Sequence, residues 1–368
     1  MPLIFDDDRK QLLCRPRGGF NDVLVQIEIC RRYAEIHDRH LLIDTRRSFL
    51  GHSLDLVFQI GPDFGVDTLF PAAGDLHILD HIQDVRPAEL AGRVSSYEVV
   101  RDQSAGLYLD ESSRTPVLFD VSRAHEEKLL VYEQSGGGCV GLHTLKRLEL
   151  NSQASQAIAK RLSHLPLDYD AVHVRHSDYK TDYKRLLERC RPLFRNRSLV
   201  VCTDNSKVQK LAEETFVSST EVRFTTEIPE TADTPLFATD YQSRYALTLD
   251  LLTDLFALGQ SRRFVFTELS GGFHGKARWS GYSLLAYLIR REPEVVASLF
   301  EYLPALQENQ KFRERLENRL RRPAPGLWEL RTAAWNFKTL KKARRWYKRY
   351  RENLTSPLAI SPVSKGPI

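Results

Sequence analysis

The stretch from residue 168 to residue 291 alternates short apolar runs with helical patterns, which restricts the folds open to the chain. The runs YDAVHVR, SLVVCTDN, VRFTTEI and RRFVFTE are predicted strands. Helical patterns lie between them, among them YKTDYKRLLERCRPLF, SKVQKLAEETF and YQSRYALTLDLLTDLFALGQ, and GYSLLAYLIRRE closes the series. Strands that alternate with helices predict a parallel sheet covered by helices on both faces.

The start of the chain shows the same alternation once more. QLLC and LLID read as strands, and VLVQIEICRRYAEIHD between them has the apolar spacing of an amphipathic helix. From residue 48 to residue 130 the pattern is irregular, and no order of elements follows from it. With 368 residues the chain is long enough for two domains. We predict α/β domains at 1–150 and 151–305 and a basic helical tail at 306–368.

Composition narrows the range of partners and compartments. Lys and Arg number 53 against 48 Asp and Glu, and the segment after Phe312 is basic enough to supply this excess. Since the basic residues do not extend along the whole chain, we predict that nucleic acid is not a partner. The 5 cysteines form no CxxC pair, which predicts neither a disulfide framework nor a zinc site. No leader pattern or membrane-spanning run is visible, so we predict a cytoplasmic protein.

The tail PGLWELRTAAWNFKTLKKARRWYKRYREN is predicted to be a long basic helix with interleaved aromatic residues. One interpretation places it on an anionic membrane surface, which would make the protein peripheral on the inner face of a membrane. The other packs Trp328, Phe337 and Tyr347 against the domains and leaves the Lys and Arg side chains in water. Both interpretations stay open.

Three loops at predicted strand ends have the composition of an anion site. They are RGGFND after QLLC, HVRHSDY at the end of YDAVHV, and TELSGGF before the last helix. In a parallel α/β sheet, ligands bind beyond the carboxyl ends of the strands. Paired glycines let backbone N–H groups approach an anion, and Arg175 can hold a phosphate through two hydrogen bonds. The three loops together predict a clamp for a diphosphate.

Simpler explanations exist for each loop alone. A glycine pair is common in turns, and neither pair matches a dinucleotide fingerprint or a P-loop. An ion pair between Arg175 and Asp178 would account for the arginine without a ligand. The prediction therefore depends on the three loops as a set.

As a set, GGFND, HVRHSD and TDLFALGQSRRFVFTELSGGF resemble the three signature regions of the GDP-fucose fucosyltransferases. That superfamily includes the protein O-fucosyltransferases and the α1,6- and α1,2-fucosyltransferases. The resemblance covers the start of the chain and residues 170–286. It implies a GT-B fold, in which two Rossmann-like domains face each other across a cleft, here followed by the C-terminal basic helix. The first domain would lie on the acceptor side, and the second would bind the nucleotide sugar.

The resemblance also assigns roles to residues. Arg175, in the motif H-x-R, would hold the diphosphate, and Asp254 would hydrogen-bond the base. The loop from Ser270 would meet the phosphates through its backbone, and the loop containing Asn21 would reach over the sugar. The predicted nucleotide-sugar-binding residues are Gly18, Gly19, Phe20, Asn21, His173, Arg175, Asp254, Ser270, Gly271, Gly272 and Phe273.

The chain departs from the family at several positions. His176 and Tyr179 stand where the α1,6-fucosyltransferases have Arg and Lys, so a different nucleotide sugar remains an alternative donor. A base must accept the proton of the acceptor hydroxyl. Candidates for that base are Asp178, Asp182, His176 and Asp22. Asp182 is the first choice, although a solvated acid in the first turn of a helix explains it equally well. The predicted catalytic residues are Arg175, Asp182, Asp178 and Asn21.

No metal and no cofactor are predicted. The chain has no D-x-D triplet at a strand end, and Arg175 with backbone N–H groups would stabilise the charge of the leaving diphosphate. The predicted function is metal-independent, inverting transfer of fucose from GDP-fucose to a glycan or lipid-linked acceptor. The alternatives are a glycosyltransferase that uses another nucleotide sugar, and a nucleotide-sugar-binding protein without catalysis.

Overall fold

The computed structural model describes residues 9–177, 179–230, 243–269, 278–300, 308–322, 347–348 and 351–352. The described chain divides into two compact units, with the boundary between Leu148 and Glu149. Unit 1 contains the described residues before this boundary together with residues 351–352, and unit 2 contains those from Glu149 to Lys348. Each unit has its own parallel sheet. The predicted mixed α/β fold with parallel sheets is confirmed. The domain limits at 150 and 305, and the arrangement across a cleft, remain predictions.

Unit 1 is built around a five-stranded sheet with the order β4-β2-β1-β8-β5, in which all neighbours are parallel. Its strands begin with β1 (Gln11–Cys14), β2 (His40–Ile43), β3 (Phe58–Ile60) and β4 (Thr68–Leu69). They continue with β5 (Val85–Arg86), β6 (Val99–Asp102), β7 (Leu107–Asp110) and β8 (Leu129–Tyr132). The helices are α1 (Phe20–Ile36) and α2 (Gly141–Leu145). Every residue of β1 and β2 is buried, as the apolar runs QLLC and LLID predict.

The irregular stretch of unit 1 contains short elements that do not follow one period. Four 3-10 helices occupy Leu54–Leu56, Pro62–Phe64, Ala73–His81 and Ala88–Leu90, and β6 pairs with β7 in antiparallel fashion. β8 then pairs with β1 although Leu129 lies more than 100 positions after Gln11. Long-range pairing of this kind leaves no local pattern, which explains why the sequence did not order this region.

Unit 2 contains a four-stranded parallel sheet with the order β12-β11-β10-β13. Its strands are β9 (Leu148–Leu150, which spans the boundary), β10 (Asp170–Val174), β11 (Ser198–Thr203), β12 (Glu221–Arg223), β13 (Phe264–Phe266), β14 (Glu268–Leu269) and β15 (Arg278–Trp279). Its helices are α3 (Ser152–Ser163), α4 (Tyr183–Phe194), α5 (Ser206–Phe216), α6 (Arg244–Gln260), α7 (Gly281–Arg291), α8 (Glu294–Phe300) and α9 (Gln310–Arg321). The parallel sheet predicted from the strand–helix alternation is confirmed.

Polar residues set the starts of the helices that follow the strands of unit 2. Asp182, Asn205 and Ser243 precede α4, α5 and α6, and each side chain accepts a backbone N–H from the first turn. Such caps satisfy N–H groups that have no partner within the helix. The helices therefore begin immediately after the polar residues that follow the apolar runs.

The predicted tail helix falls mostly outside the described residues. Of its span, only residues 347–348 and 351–352 are described, so the aromatic residues Trp328 and Phe337 lie outside them. α9 precedes this span and is held by Arg315, whose Nη1 donates to the carbonyl of Leu165 over 2.9 Å. Within the described part of the chain, we find no helix with the length and hydropathy that crossing a membrane requires.

Close packing between α6 and α7 generates a prediction about stability. A Cβ atom added at Gly259 would lie 2.5 Å from Cγ2 and 3.2 Å from Cβ of the buried Ile289. We expect Gly259→Ala to lower the free energy of unfolding by about 1–2 kcal/mol, because overpacking outweighs the higher helix propensity of alanine. Urea denaturation measures this change.

Gly74→Ala is the matched control for this substitution. A Cβ atom at Gly74 meets nothing within 4 Å, so we expect no loss of stability there. A Gly259→Ala variant as stable as the wild type would contradict the close helix contact.

Candidate functional site

The carboxyl edge of the sheet in unit 2 collects polar residues from separate parts of the chain. Arg175 follows β10, Asp204 follows β11 and Thr225 lies just beyond β12. Because these strands are parallel neighbours, their carboxyl ends share one edge of the sheet. This edge is where α/β proteins of this type bind ligands, and we treat it as the candidate site.

His173 and Arg175, the two defined positions of the predicted H-x-R motif, have different surroundings. His173 is buried, and its Nδ1 lies 2.7 Å from the hydroxyl of Ser283 in α7. Burial lowers the pKa of His173 to about 3, and the charge of Arg175 acts in the same direction. The imidazole is therefore neutral near pH 7 and positions α7 against β10. Arg175 is half-buried, with its guanidinium carbon 5.2 Å from the centre of the Tyr179 ring.

Asp204 holds the loop that contains Arg175. Its Oδ1 accepts the backbone N–H of His176 over 2.7 Å, and its Oδ2 accepts the hydroxyl of Ser177 over 2.6 Å. Both donors directly follow Arg175, so Asp204 fixes the backbone from which the arginine side chain extends. The sequence analysis did not select Asp204. The sequence did contain a signal for it. Asp204 follows the apolar run in SLVVCTDN in the same way that Arg175 follows the apolar run in YDAVHVR.

Two of the candidate bases have clear structural roles. His176 accepts the backbone N–H of Thr181 through Nδ1 over 3.2 Å, and its ring centre lies 4.4 Å from that of Tyr183. Asp182 is exposed and caps α4, with its Oδ1 accepting the N–H of Arg185 over 3.3 Å. The capping role agrees with the structural alternative for Asp182. The assignment of the catalytic base stays a prediction.

Asp254 is a partly buried carboxyl group in α6 next to the end of β12. Its Oδ1 accepts hydrogen bonds from the hydroxyl groups of Thr225 and, over 3.3 Å, Thr226. Burial raises the pKa of Asp254 to about 7, and the charge of Asp250 adds to this effect. The hydrogen bond from Thr225 opposes the rise without cancelling it. The candidate site therefore contains a carboxyl group that exchanges its proton close to neutral pH.

Several predicted site residues cannot be placed. Asp178 and the loop residues Ser270, Gly271, Gly272 and Phe273 lie outside the described residues. Their roles remain predictions. Across the described ranges of the chain, no group of three or more His, Cys, Asp or Glu side chains has the arrangement of a metal site.

The glycine loop of unit 1 forms a tight turn at the start of α1. Gly18 has a φ of +90°, and a Cβ atom there would lie 2.9 Å from Cβ of Asp22. The N–H of Gly19 donates to Oδ2 of Asp22 over 3.0 Å, which caps the helix. This packing alone requires a glycine at position 18. The hydrogen bond to Asp22 also occupies the amide of Gly19 that a ligand would otherwise meet.

The residues that follow this turn also have partners within unit 1. Phe20 is buried and stacks on Phe58 with 6.4 Å between ring centres. Asn21 is buried, and its Nδ2 donates to the carbonyl of Gly138 over 3.2 Å. The Asn21 contact joins the RGGFND loop to the glycine run before α2, and the Phe20 contact joins it to β3. The predicted contacts of Phe20 and Asn21 with a nucleotide sugar are untested, and both side chains serve the fold.

Solved structures of the fucosyltransferase NodZ are similar in fold to this chain. A structure of NodZ α-1,6-fucosyltransferase co-crystallised with GDP matches with a TM-score of 0.51 and 16% sequence identity, over 76% of this chain and 92% of that chain. The chain is similar in fold to NodZ over the matched part. NodZ from Bradyrhizobium also matches, with a TM-score of 0.50 and 16% identity, over 76% of this chain and 93% of that one. The resemblance predicted from the three motifs is thereby confirmed for the fold.

A further solved structure matches with a lower TM-score and lower sequence identity. A structure of POFUT1 in complex with GDP matches with a TM-score of 0.43 and 12% identity, over 81% of this chain and 98% of that chain, and we base no argument on it. No protein-family model matches the chain. No curated protein sequence matches it either.

The raised pKa of Asp254 predicts how stability depends on pH. The folded state binds this proton more tightly than the unfolded state, whose pKa is near 3.8. Stability should therefore rise as the pH falls from 8 to 5. We expect Asp254→Asn to remove this dependence and to raise the free energy of unfolding at pH 8 by about 2 kcal/mol.

Urea denaturation at both pH values tests this expectation. Glu213→Gln, at an exposed position of α5, is the control for the loss of a carboxylate. An Asp254→Asn variant with the pH dependence of the wild type would contradict a buried, titrating Asp254.

Proposed function

We propose that the chain is a glycosyltransferase that transfers fucose from GDP-fucose to a glycan or lipid-linked acceptor. The observation that carries this proposal is the carboxyl edge of unit 2, where Arg175 and Asp254 lie in a fold similar to that of NodZ, which was co-crystallised with GDP. The motif resemblance supports the same donor. The domain containing this edge would be the nucleotide-sugar-binding domain, and unit 1 would belong to the acceptor side.

Arg175 would bind the diphosphate of the donor. Its guanidinium group can donate two parallel hydrogen bonds to phosphate oxygens, and Asp204 holds the loop from which it extends. Negative charge grows on the diphosphate as the bond to the sugar breaks, so a fixed cation beside it lowers the barrier. The neutral His173 supports this arrangement because it does not repel the Arg175 guanidinium group.

Asp254 would recognise the base of the nucleotide. Oδ1 is occupied by hydroxyl groups of Thr225 and Thr226, which hold the carboxyl group in one orientation. A guanine base offers N–H donors that would favour the ionised carboxylate and offset its raised pKa. The preference for GDP over other nucleotides would arise here, since uracil and cytosine present different edges.

We also propose that the reaction inverts the anomeric centre and needs no metal, with Arg175 and backbone amides neutralising the leaving group. The basic tail would bring the enzyme to an anionic membrane surface on the inner face of a membrane, close to a lipid-linked acceptor. A nucleotide-sugar-binding protein without catalysis is the second candidate. It would bind GDP-fucose through the same residues and would release no GDP.

Nucleotide selectivity is the first test of the proposal. We expect GDP and GDP-fucose to raise the melting temperature more than UDP, CDP, ADP and their sugars. Arg175→Ala should weaken GDP binding about tenfold or more, because charge-assisted hydrogen bonds to phosphate are lost.

Arg185→Ala serves as the control, since Arg185 is an exposed arginine on α4. Equal stabilisation by all nucleotides, or a GDP affinity unaffected by Arg175→Ala, would overturn the proposed donor site.

Asp182 provides a test of the catalytic base. Its capping hydrogen bond uses Oδ1, and among the described residues Oδ2 has no hydrogen-bond partner. Asparagine caps helices as well as aspartate does, but it cannot accept a proton. We expect Asp182→Asn to keep the melting temperature and the affinity for GDP while lowering kcat at least a hundredfold.

The assay measures GDP release from GDP-fucose in buffer containing EDTA, because the proposed mechanism needs no metal. Asp182→Ala is the companion variant, and it should lose both the cap and the activity. Wild-type kcat in Asp182→Asn would rule out Asp182 as the base and direct attention to His176 and Asp178.

A further inference from the structure

Unit 1 also has a polar sheet edge, which includes Arg17 at the start of the RGGFND loop. In its sheet β1 lies between β2 and β8, so the strand order changes direction at β1. The loops after β1 and β8 leave this switch point, and ligands of α/β sheets bind at such positions. Residues from these two loops and from the loop after β2 form a connected network of charges.

The inner part of the network is buried. Glu133, with 0% exposure, accepts a hydrogen bond from Nε of Arg17 over 2.6 Å and another from the hydroxyl of Tyr97. Nε of Arg15 donates to Oδ2 of Asp44 over 3.1 Å. The guanidinium carbon of Arg15 lies 5.0 Å from the centre of the Tyr97 ring. These groups form a rigid base beneath the sheet edge.

The outer part consists of Arg17, Arg46 and Arg47, which we name the arginine rim. Their side chains are 20%, 23% and 18% exposed, so each reaches solvent from a buried base. Nε of Arg46 donates to Oδ1 of Asp44 over 2.8 Å. In the part of the chain that the structure describes, Nη1 and Nη2 of Arg46 have no hydrogen-bond partner. One face of this guanidinium group is thus held and the other is available.

The network has more positive than negative groups. Arg15 and the three rim arginines are paired with Asp44, Glu133 and the exposed Glu98, which lies 3.5 Å from Arg47. Burial alone would raise the pKa of Asp44, but hydrogen bonds and charge from Arg46 and Arg15 lower it overall. Both buried carboxylates therefore act as fixed supports for a site with excess positive charge.

A network of buried ion pairs is weak evidence for a role in stability. Apolar side chains of similar volume often stabilise a fold at least as well as buried ion pairs do. What the network supplies is orientation, because guanidinium groups fixed by buried partners lose little freedom when an anion binds. The planar fork of a guanidinium group matches carboxylate, sulfate and phosphate groups.

We propose that the arginine rim binds an anionic group, a carboxylate, sulfate or phosphate, and that this group belongs to the acceptor. The second half rests on the proposed function and specifies its substrate as an acidic glycan or lipid-linked glycan. Arg46 contributes the open hydrogen-bond donors, and Arg17 and Arg47 contribute charge. The anionic group would fix the acceptor on unit 1.

Sulfate binding tests the anion site without reference to catalysis. Sodium sulfate is titrated into the full chain by calorimetry, with sodium chloride holding the ionic strength constant. We expect Arg46→Gln to weaken sulfate binding about tenfold or more. Arg101→Gln, at an exposed position of β6, should bind sulfate like the wild type. Arg175→Ala should keep the sulfate bound at the arginine rim and lose only sulfate bound at the proposed diphosphate site.

Arg46→Lys is the control for a loss of folding in Arg46→Gln. It keeps the charge but lacks the fork, so its affinity should fall between those of the wild type and Arg46→Gln. No sulfate binding by the wild type, or equal binding by Arg46→Gln and the wild type, would overturn the anion site. Loss of all sulfate binding in Arg175→Ala would place the anion in unit 2 alone and would overturn it as well.

Transfer assays distinguish an acceptor group from the diphosphate of the donor. Two oligosaccharide acceptors are compared that differ only in a uronic acid carboxylate. We expect Arg46→Gln to raise KM about tenfold for the acidic acceptor, with unchanged KM for the neutral acceptor and unchanged affinity for GDP. A drop in GDP affinity in this variant would assign the anion to the donor and contradict the acceptor assignment.

The two proposals can fail separately. If no nucleotide stabilises the chain, the proposed transferase function fails, and the sulfate titration still decides whether the arginine rim is an anion site. If GDP binds and sulfate does not, the transferase proposal stands and the rim is structural.

Discussion

Parallel pairing of β10 with β11 and β13 determines the composition of the candidate site. The register places Val174 opposite Thr203, so the residues that follow the two strands emerge side by side. Arg175 and Asp204 are far apart in sequence, yet Asp204 holds the two residues after the arginine. A shift of one residue in this register would move the carboxylate away from both donors. The hydrogen bonds of the sheet are therefore the condition for a fixed arginine at its edge.

The ionisable groups at this edge differ in charge because their surroundings differ. Burial beside Arg175 keeps His173 neutral, whereas burial and the charge of Asp250 bring the pKa of Asp254 to about 7. Arg175 itself is half-buried and charged. Among the described residues, the site therefore offers a permanent cation at Arg175, a neutral imidazole at His173 and a carboxyl group at Asp254 that can change its charge. That combination suits recognition of an anionic ligand with a polar ring.

Local patterns predicted most of the strands and helices, because each buried strand is a short apolar run bounded by polar residues. The resemblance to three motifs also selected His173, Arg175 and Asp254 as site residues, and that role stays a prediction. Contacts between distant segments were not predictable. The clearest case is the RGGFND loop, where Asn21 donates to Gly138 and Asp22 caps its own helix. Its glycines have a packing role that no local signal distinguishes from a role in ligand binding.

A crystal structure of the full chain with GDP tests the central claim most directly. The account predicts diphosphate oxygens within hydrogen-bond distance of the Arg175 guanidinium group and the guanine base beside Asp254. GDP bound in clear density away from both residues, or no bound GDP at saturating concentration, would contradict it.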